Sequence, residues 1–400
     1  MCSTNSSGHS RFLSKLARKV RTLVLLVLAV PAVLVVAVLR PVVLVRFGHL
    51  KVARLGHLSL NTELYQCELD AGVHGKRWLN FFYSSSAISN QQLLRMWGRT
   101  LHIHPFARYI DRISRRLPGG AVHRIVLPTD RDERQLLRRT RPHISFTAEE
   151  LDSGRKALSA LGVPEGEPFI CFHSRDSAYL NTLVTGHDWS YHDYRDTEVG
   201  NFLPAAEEMG RRGYYALRMG AVVKETVVSD SPRVIDYASK GRSDFMDIYL
   251  LANCRFFLCS SSGLMGVANT FRVPLAYAGE VPLEYEPRGK RDLFIPKKLW
   301  LRNEERFLTF REIVESGVGR FLRGDEFEAL GLELVENSKD DVMALAVEMD
   351  ERLEGKWDTT DEDADLQQRY WTLFDETTLC YNSPSRIGAA FLRQNRNLLD

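Results

Sequence analysis

The sequence predicts an α/β protein built on a parallel sheet and set behind one long apolar helix. Three observations carry this: a charge-free run near the start, a series of short apolar segments after residue 168, and helix-spaced segments between them. Short fully apolar runs that alternate with amphipathic stretches form buried parallel strands joined by crossover helices. With 400 residues, 44% of them hydrophobic, the chain is long enough for two domains with a sizeable core.

From Thr22 to Leu39 the chain reads TLVLLVLAVPAVLVVAVL, without a charge. As a helix this run spans about 27 Å, close to the hydrocarbon thickness of a bilayer. Arg11, Lys15, Arg18, Lys19 and Arg21 precede it, and Arg40, Arg46, Lys51 and Arg54 follow it. Basic residues on both sides leave the orientation open. Pro31 can also kink the run into a re-entrant or interfacial segment with both flanks in the cytoplasm. A retained anchor is expected over a cleaved signal peptide or a buried helix, because the run is long, its basic lead is long, and no small-x-small site follows. Residues 1–21 therefore read as a basic segment and 22–45 as a membrane anchor, placing the protein at the cytoplasmic membrane with its body on the cytoplasmic side.

Residues 1–62 carry nine Lys or Arg and no acidic residue, which leaves 44 basic against 51 acidic in the remainder. A body with this balance gives no support to nucleic acid as a partner. The six cysteines are scattered, with no C-x-x-C pair. That pattern fits a reducing compartment without structural zinc.

Residues 46–150 read as a first domain. Between residues 95 and 141, twelve arginines face only Asp111, Asp130, Asp132 and Glu133. Such a surface suits anionic headgroups or a lipid-linked phosphate, and solvated helix faces explain it equally well. Asn90–Arg99 reads as a helix and Val122–Leu127 as a strand. Thr147 and Glu150 fit a capping box, and the Gly- and Pro-rich turn at residues 162–168 marks the boundary.

Residues 160–335 form the expected second domain. Its strands are Phe169–His173, Tyr214–Arg218, Arg233–Tyr237, Arg255–Cys259 and Val273–Tyr277. Between them lie a helix with Asn201 as cap and Pro204 in its first turn, one opened by Asp244 and Asp247, and one over Leu264–Thr270. Residues 336–400 read as an acidic stretch followed by C-terminal helices.

In an open parallel sheet the ligand lies at the carboxyl ends of the strands. Here those ends are polar: His173, Ser174, Arg175 and Asp176 after the first, Arg218 and Gly220 after the second, Asp236 after the third, and Ser260, Ser261, Ser262 and Gly263 after the fourth. Arg175 and Arg218 can each offer a fork of donors to a diphosphate, and the serine turn can aim N–H groups and hydroxyls at an anion over a helix N-terminus. Blander readings exist for each: an Arg175–Asp176 pair, a serine helix cap, an exposed strand terminus at Arg218. The aromatic connection from Asp176 to Asp196, with Tyr179, His187, Trp189, Tyr191 and His192, reads as a lid over a sugar. Its His spacing matches no helical metal pair. The Asp130-Arg-Asp132 and Glu328/Glu336 spacings are weak signals, and no G-x-S-x-G elbow or paired Cys and His supports a nucleophilic triad.

Several segments together carry a resemblance: Arg54-Leu-Gly-His-Leu58 with Asn61-Thr-Glu63, Tyr194 to Ala206, Arg212 to Gly220, Val234 to Ala238, Arg242 to Tyr249 and Ser260 to Leu264. Over residues 46–290 the chain resembles a glycosyltransferase family found with bacterial surface-polysaccharide genes. His173 and Arg175 with the Ser-Ser-Ser-Gly turn also resemble fucosyltransferase-like members of the two-Rossmann (GT-B) class, where the matching arginine grips the donor's β-phosphate. The resemblance implies two Rossmann-like domains, a nucleotide-diphosphate sugar bound by the second, a lipid-linked or glycan acceptor bound by the first, and no cofactor or obligatory metal beyond the donor substrate. A short first domain departs from that class. An inverting transfer needs a base on the acceptor side, for which His57 and Glu63 are the early candidates. Two alternatives stay open: a nucleotide-sugar epimerase on the same fold, and a noncatalytic glycan-assembly binding protein.

Overall fold

The computed structural model describes residues 6–400 except 76, 85, 86, 130, 179–181, 183–187 and 286–288, with side chains from residue 14 onward. Helix α1 (Ser6–Leu39) continues through Pro31 without a break in the helix. The first sheet follows, from β1 (Leu44–His49), β2 (Trp78–Tyr83), β3 (His102–Ile103) and β4 (Arg124–Ile125) in the order β3-β2-β1-β4, all parallel. The strand expected over residues 122–127 is thus only two residues long. Its helices include α2 (Thr62–Asp70), α3 (Gln91–Gly98) and α4 (Ala107–Ser114). Helix α5 (Ala148–Ala160) is opened by the predicted capping box, Thr147 and Glu150 each accepting from the other's backbone.

The second sheet has seven parallel strands: β5 (Phe169–His173), β6 (Tyr215–Arg218), β7 (Val234–Ile235), β8 (Phe257–Cys259), β9 (Leu275–Glu280), β10 (Leu293–Pro296) and, past the antiparallel trio β11 (Lys298–Leu301), β12 (Arg306–Phe307) and β13 (Leu332–Val335), β14 (Arg386–Ile387). Its order is β14-β10-β9-β8-β5-β6-β7. All five expected strands are present. The stretch after residue 335, read from sequence as an acidic tail with helices, supplies the seventh strand and a buried helix, Lys339–Glu354, against this sheet.

Both sheets grow from their first strand in one direction, then cross over and grow in the other. That reversal leaves a crevice at the carboxyl ends of the first and fourth strands, the switch point where ligands bind in doubly wound sheets. Between β6 and the switch-point strands lie α6 (Leu203–Arg211) and α7 (Asp244–Asn253), and α8 (Gly263–Thr270) follows β8. One apolar core runs through both domains, joining Leu50, Tyr65, Phe82 and Trp97 of the first to Cys171, Leu217, Phe257 and Leu275 of the second.

The two switch points are held face to face by glycine. After β1 the chain makes a π-helical turn at His57–Asn61, and this turn packs on α8. A Cβ on Gly266 would lie 2.9 Å from the Gly56 Cα and 3.0 Å from its carbonyl oxygen. Any side chain there would push the domains apart, which is why residues without Cβ meet at this seam.

Candidate functional site

Between the domains lies a cleft of about 1330 Å³. The first domain contributes Arg54, Gly56 and His57, and the second contributes His173, Arg175, Ser261, Ser262 and Gly263. Nine Lys or Arg side chains line it against six carboxylates. Five of those carboxylates are already engaged: Asp132, Asp176, Asp244 and Asp292 accept backbone N–H groups, and Asp247 accepts from Tyr237 and Arg242. Arg175, Arg242 and Arg272 are paired as well, and the excess of cations over carboxylates among the described lining residues leaves a positive formal charge that suits an anion.

Arg175 is placed by its own backbone. Its N–H donates to the Ser260 hydroxyl at 2.7 Å, and its carbonyl accepts from Thr197 N–H at 2.9 Å. Its guanidinium Nε donates to Asp196 at 3.0 Å rather than to the adjacent Asp176. Nη2 is buried and, among the described residues, has no partner. A short distance away by topology, at the end of β8, Ser262 is the N-cap residue of α8, and its hydroxyl is likewise buried without a partner. A capping serine would normally spend its hydroxyl on the helix N–H groups, so the predicted bland role does not apply here. Arg175, Ser262 and the N-terminus of α8 all line the cleft, and the first two each hold a donor without a partner among the described residues, a set of groups suited to phosphate.

His173 also lines the cleft. Its Nδ1 lies 2.9 Å from the Met219 carbonyl, which can only accept, so Nδ1 carries the proton and Nε2 is the acceptor. Burial drives its pKa down to about 4, and the ring stays neutral near pH 7. It can orient a hydroxyl but is a poor proton acceptor for catalysis.

Other predicted residues are elsewhere. Arg218 is 2% exposed and does not line the cleft; its Nη1 donates to the Glu225 carbonyl at 2.5 Å and lies 3.5 Å from Asp236. Asp236 in turn accepts from Val227 N–H and the Ser239 hydroxyl. Both residues brace the loop between β6 and β7, so neither is available to a diphosphate. Ser174 and Ser260 are buried behind the cleft wall, with Ser260 accepting from Arg175 and Thr197. Gly220 lines the cleft.

Of the two base candidates, His57 faces the cleft and Glu63 does not. Glu63 is fully buried, its carboxylate bonded to Arg272 Nη2 at 2.7 Å and His143 Nδ1 at 3.1 Å. Its place two turns along the same helix carries it under the domain seam. Glu63, Cys67 and His143 offer ligand atoms within 4.8 Å of one another. Arg272 occupies the same space, reaching Cys67 Sγ at 3.6 Å, and His143 is gripped between Glu63 and Asp70. Burial alone would lower the pKa of His143, but hydrogen bonds to Cys67, Glu63 and Asp70 overcome it and raise it to about 10. The group is an ion cluster around a protonated imidazole that ties the two domains together.

The described part of the predicted lid, residues 188–196, is a packed wall of the cleft. His187 and Tyr179 fall outside the described residues. The Trp189 and His192 rings stack at 6.0 Å, Tyr191 meets His192 at 4.0 Å, and Arg54 of the first domain lies 4.9 Å over Trp189. Arg195 donates to His192 Nδ1 at 2.7 Å; burial and the surrounding arginines lower the His192 pKa to about 4. The Asp188 carboxylate caps Ser190. Asp130 also lies outside the described residues, and Asp132 caps the turn at Leu136 and Leu137. Glu336 accepts from Glu198 and Asn201, away from the cleft.

Sequence reasoning read Arg54 as part of the basic flank of the apolar run and Arg195 as part of the lid, and gave no site role to Tyr277; all three line the cleft. Tyr277 was findable, since it sits near the end of the fifth strand, where the same strand-end rule applies.

No protein-family model and no curated protein matches the chain. Among solved structures, a glycosyl transferase family 9 protein from Veillonella parvula is similar at 12% identity and TM-score 0.42, covering 76% of this chain and 96% of its own. E. coli ADP-heptose LPS heptosyltransferase II is similar at 13% identity and TM-score 0.38, covering 59% and 86%. E. coli heptosyltransferase WaaC is similar at 8% identity and TM-score 0.30, covering 62% and 92%.

Proposed function

We propose that this chain is a glycosyltransferase of the two-Rossmann (GT-B) type. It moves a sugar from a nucleotide-diphosphate donor to a lipid-linked or surface-glycan acceptor at the cytoplasmic membrane. The observation that carries this reading is the pair of unpartnered, buried donors at the switch point, Arg175 Nη2 and Ser262 Oγ, beside the N-terminus of α8. As the glycosidic bond to the donor breaks, negative charge grows on the departing diphosphate. Fixed donors aimed at that charge are felt more in the transition state than in the ground state. His173 Nε2 accepts a hydroxyl of the donor, and Tyr277 and Arg195 close the same side of the cleft.

The acceptor enters from the first domain, where His57 is the base candidate that lines the cleft. Arginine and helix N–H groups supply the positive charge that a divalent cation supplies in metal-dependent transferases. Transfer is accordingly expected to survive a chelator.

A thermal-shift screen of the full chain against ADP, GDP, UDP, CMP and dTDP sugars tests the reading. A nucleotide at 100 times its Kd raises stability by about 2.7 kcal/mol. The matching sugar should then pass to a lipid extract in the presence of chelator. Conversion of the donor without any acceptor would identify an epimerase, and tight binding without turnover a glycan-assembly factor.

A further inference from the structure

Helix α1 does not stand off the body. Thr22, Leu25, Leu26, Ala29, Ala32, Val33 and Val36 recur at helical spacing and are the positions of the apolar run that are buried or half-buried. This stripe covers about 21 Å of helix, most of the apolar run. It lies against α4 and β1, where Val36 joins Val45, Phe47, Tyr83 and Ala107 in one cluster edged by Val43 and Ile110. The opposite face is apolar too, yet bare: Leu23, Val27 and Leu34 are each more than 60% exposed.

A helix docked lengthwise on its own domain cannot also be ringed by lipid across a whole bilayer. The docked body would follow it into the hydrocarbon, taking the exposed Arg108 and Arg112 of α4 and Arg116 just past it, and arginine is strongly disfavoured there. At the edge of a bilayer the same residues are well placed. Lys15, Arg18, Lys19 and Arg21 flank the bare apolar face at one end and Arg40 at the other, with no acidic residue before Glu63. An apolar strip rimmed by cations matches the boundary between acyl chains and anionic headgroups.

We propose that the chain is monotopic: α1 lies in the plane of one leaflet, its bare face in lipid, with both of its ends on the cytoplasmic side and its basic rim on anionic headgroups. This deepens the membrane part of the proposed function and is independent of the transfer chemistry.

Protease added to intact spheroplasts tests sidedness, using the full chain with an epitope tag at each end. Both tags should sediment with membranes and resist digestion until the cells are opened. Removal of the N-terminal tag from outside, or recovery of the protein in the soluble fraction, overturns the proposal, and neither result touches nucleotide binding. In vitro, the full chain should bind phosphatidylglycerol vesicles at least tenfold more tightly than phosphatidylcholine vesicles. Equal binding overturns the role of the basic rim. The triple variant Leu23→Glu, Val27→Glu, Leu34→Glu changes only exposed positions, so its melting temperature should be unchanged while vesicle binding falls at least tenfold. Undiminished binding by that variant excludes the bare face as the lipid contact.

Discussion

The ends of β5 and β6 lie side by side in one sheet, each carries an arginine, and the two arginines have opposite fates. Arg218 is buried away from the cleft, where its Nη1 donates to the Glu225 carbonyl and to Asp236. Arg175 lines the cleft, donates from Nε to Asp196, and has no partner for Nη2 among the described residues. The strand-end rule is blind to this difference. What separates a ligand-binding arginine from a structural one is whether the loop beside it supplies enough acceptors. At β6 the loop to β7 folds the Glu225 carbonyl onto the guanidinium, and Asp236, just past β7, supplies a carboxylate. At β5 the chain leaves through the Trp189 to Asp196 wall, which supplies a single carboxylate.

Breaking the structural side of this comparison should have the largest effect on stability. Arg218→Ala removes the guanidinium from beside Asp236, which is itself buried. Leaving one buried charge without its partner costs about 3–5 kcal/mol. A denaturant midpoint for this variant close to wild type would show that Asp236 is adequately held by Val227 and Ser239 alone.

The ion cluster under the seam gives the second test, because there Arg272 uses all three of its guanidinium nitrogens. Glu63→Gln should destabilise by about 3 kcal/mol, since Arg272 and His143 both lose their buried counter-charge. The pH dependence has a definite sign. The folded His143 pKa, about 10, lies above its ordinary value of 6.5. Its contribution is therefore full below about pH 6.5 and is lost as pH rises through about 10. Melting temperature should fall over that window in wild type and flatten in His143→Gln. A parallel decline in both proteins would assign the pH dependence to other groups.

A smaller effect is expected at the glycine seam. Gly266→Ala places a methyl 2.9 Å from the Gly56 Cα and the Ser59 hydroxyl. Overpacking of this kind costs about 1–3 kcal/mol. Because the seam sets the width of the cleft, nucleotide affinity should weaken along with stability, and an unaltered affinity in a destabilised variant would separate the two.

The second sheet was legible because its strands are uninterrupted apolar runs such as FICFH and RFFLC, whose burial on both faces leaves no alternation to confuse. The first sheet was less so: the strand expected over residues 122–127 is there as Arg124–Ile125, while His102–Ile103 is too short to carry a period. In the site, Arg175 and the serine turn followed from local position. The fate of Glu63 depended on Arg272, 209 residues away, and that of Arg218 on a loop fold, neither of which spacing encodes. The acidic composition after residue 335 concealed Arg386–Ile387, a strand of two residues at the sheet edge.

The central claim is that Arg175, and not Arg218, meets the diphosphate. Calorimetric titration of the matching nucleoside diphosphate into wild type, Arg175→Lys and Arg175→Ala, each shown to be folded by its melting curve, tests it directly. Charge without the planar fork should keep part of the affinity, so Lys is expected to lose about tenfold and Ala about a hundredfold, as removal of one or two charge-assisted bonds of about 1.5–3 kcal/mol requires. A folded Arg175→Ala protein that binds the nucleotide as tightly as wild type would contradict the account.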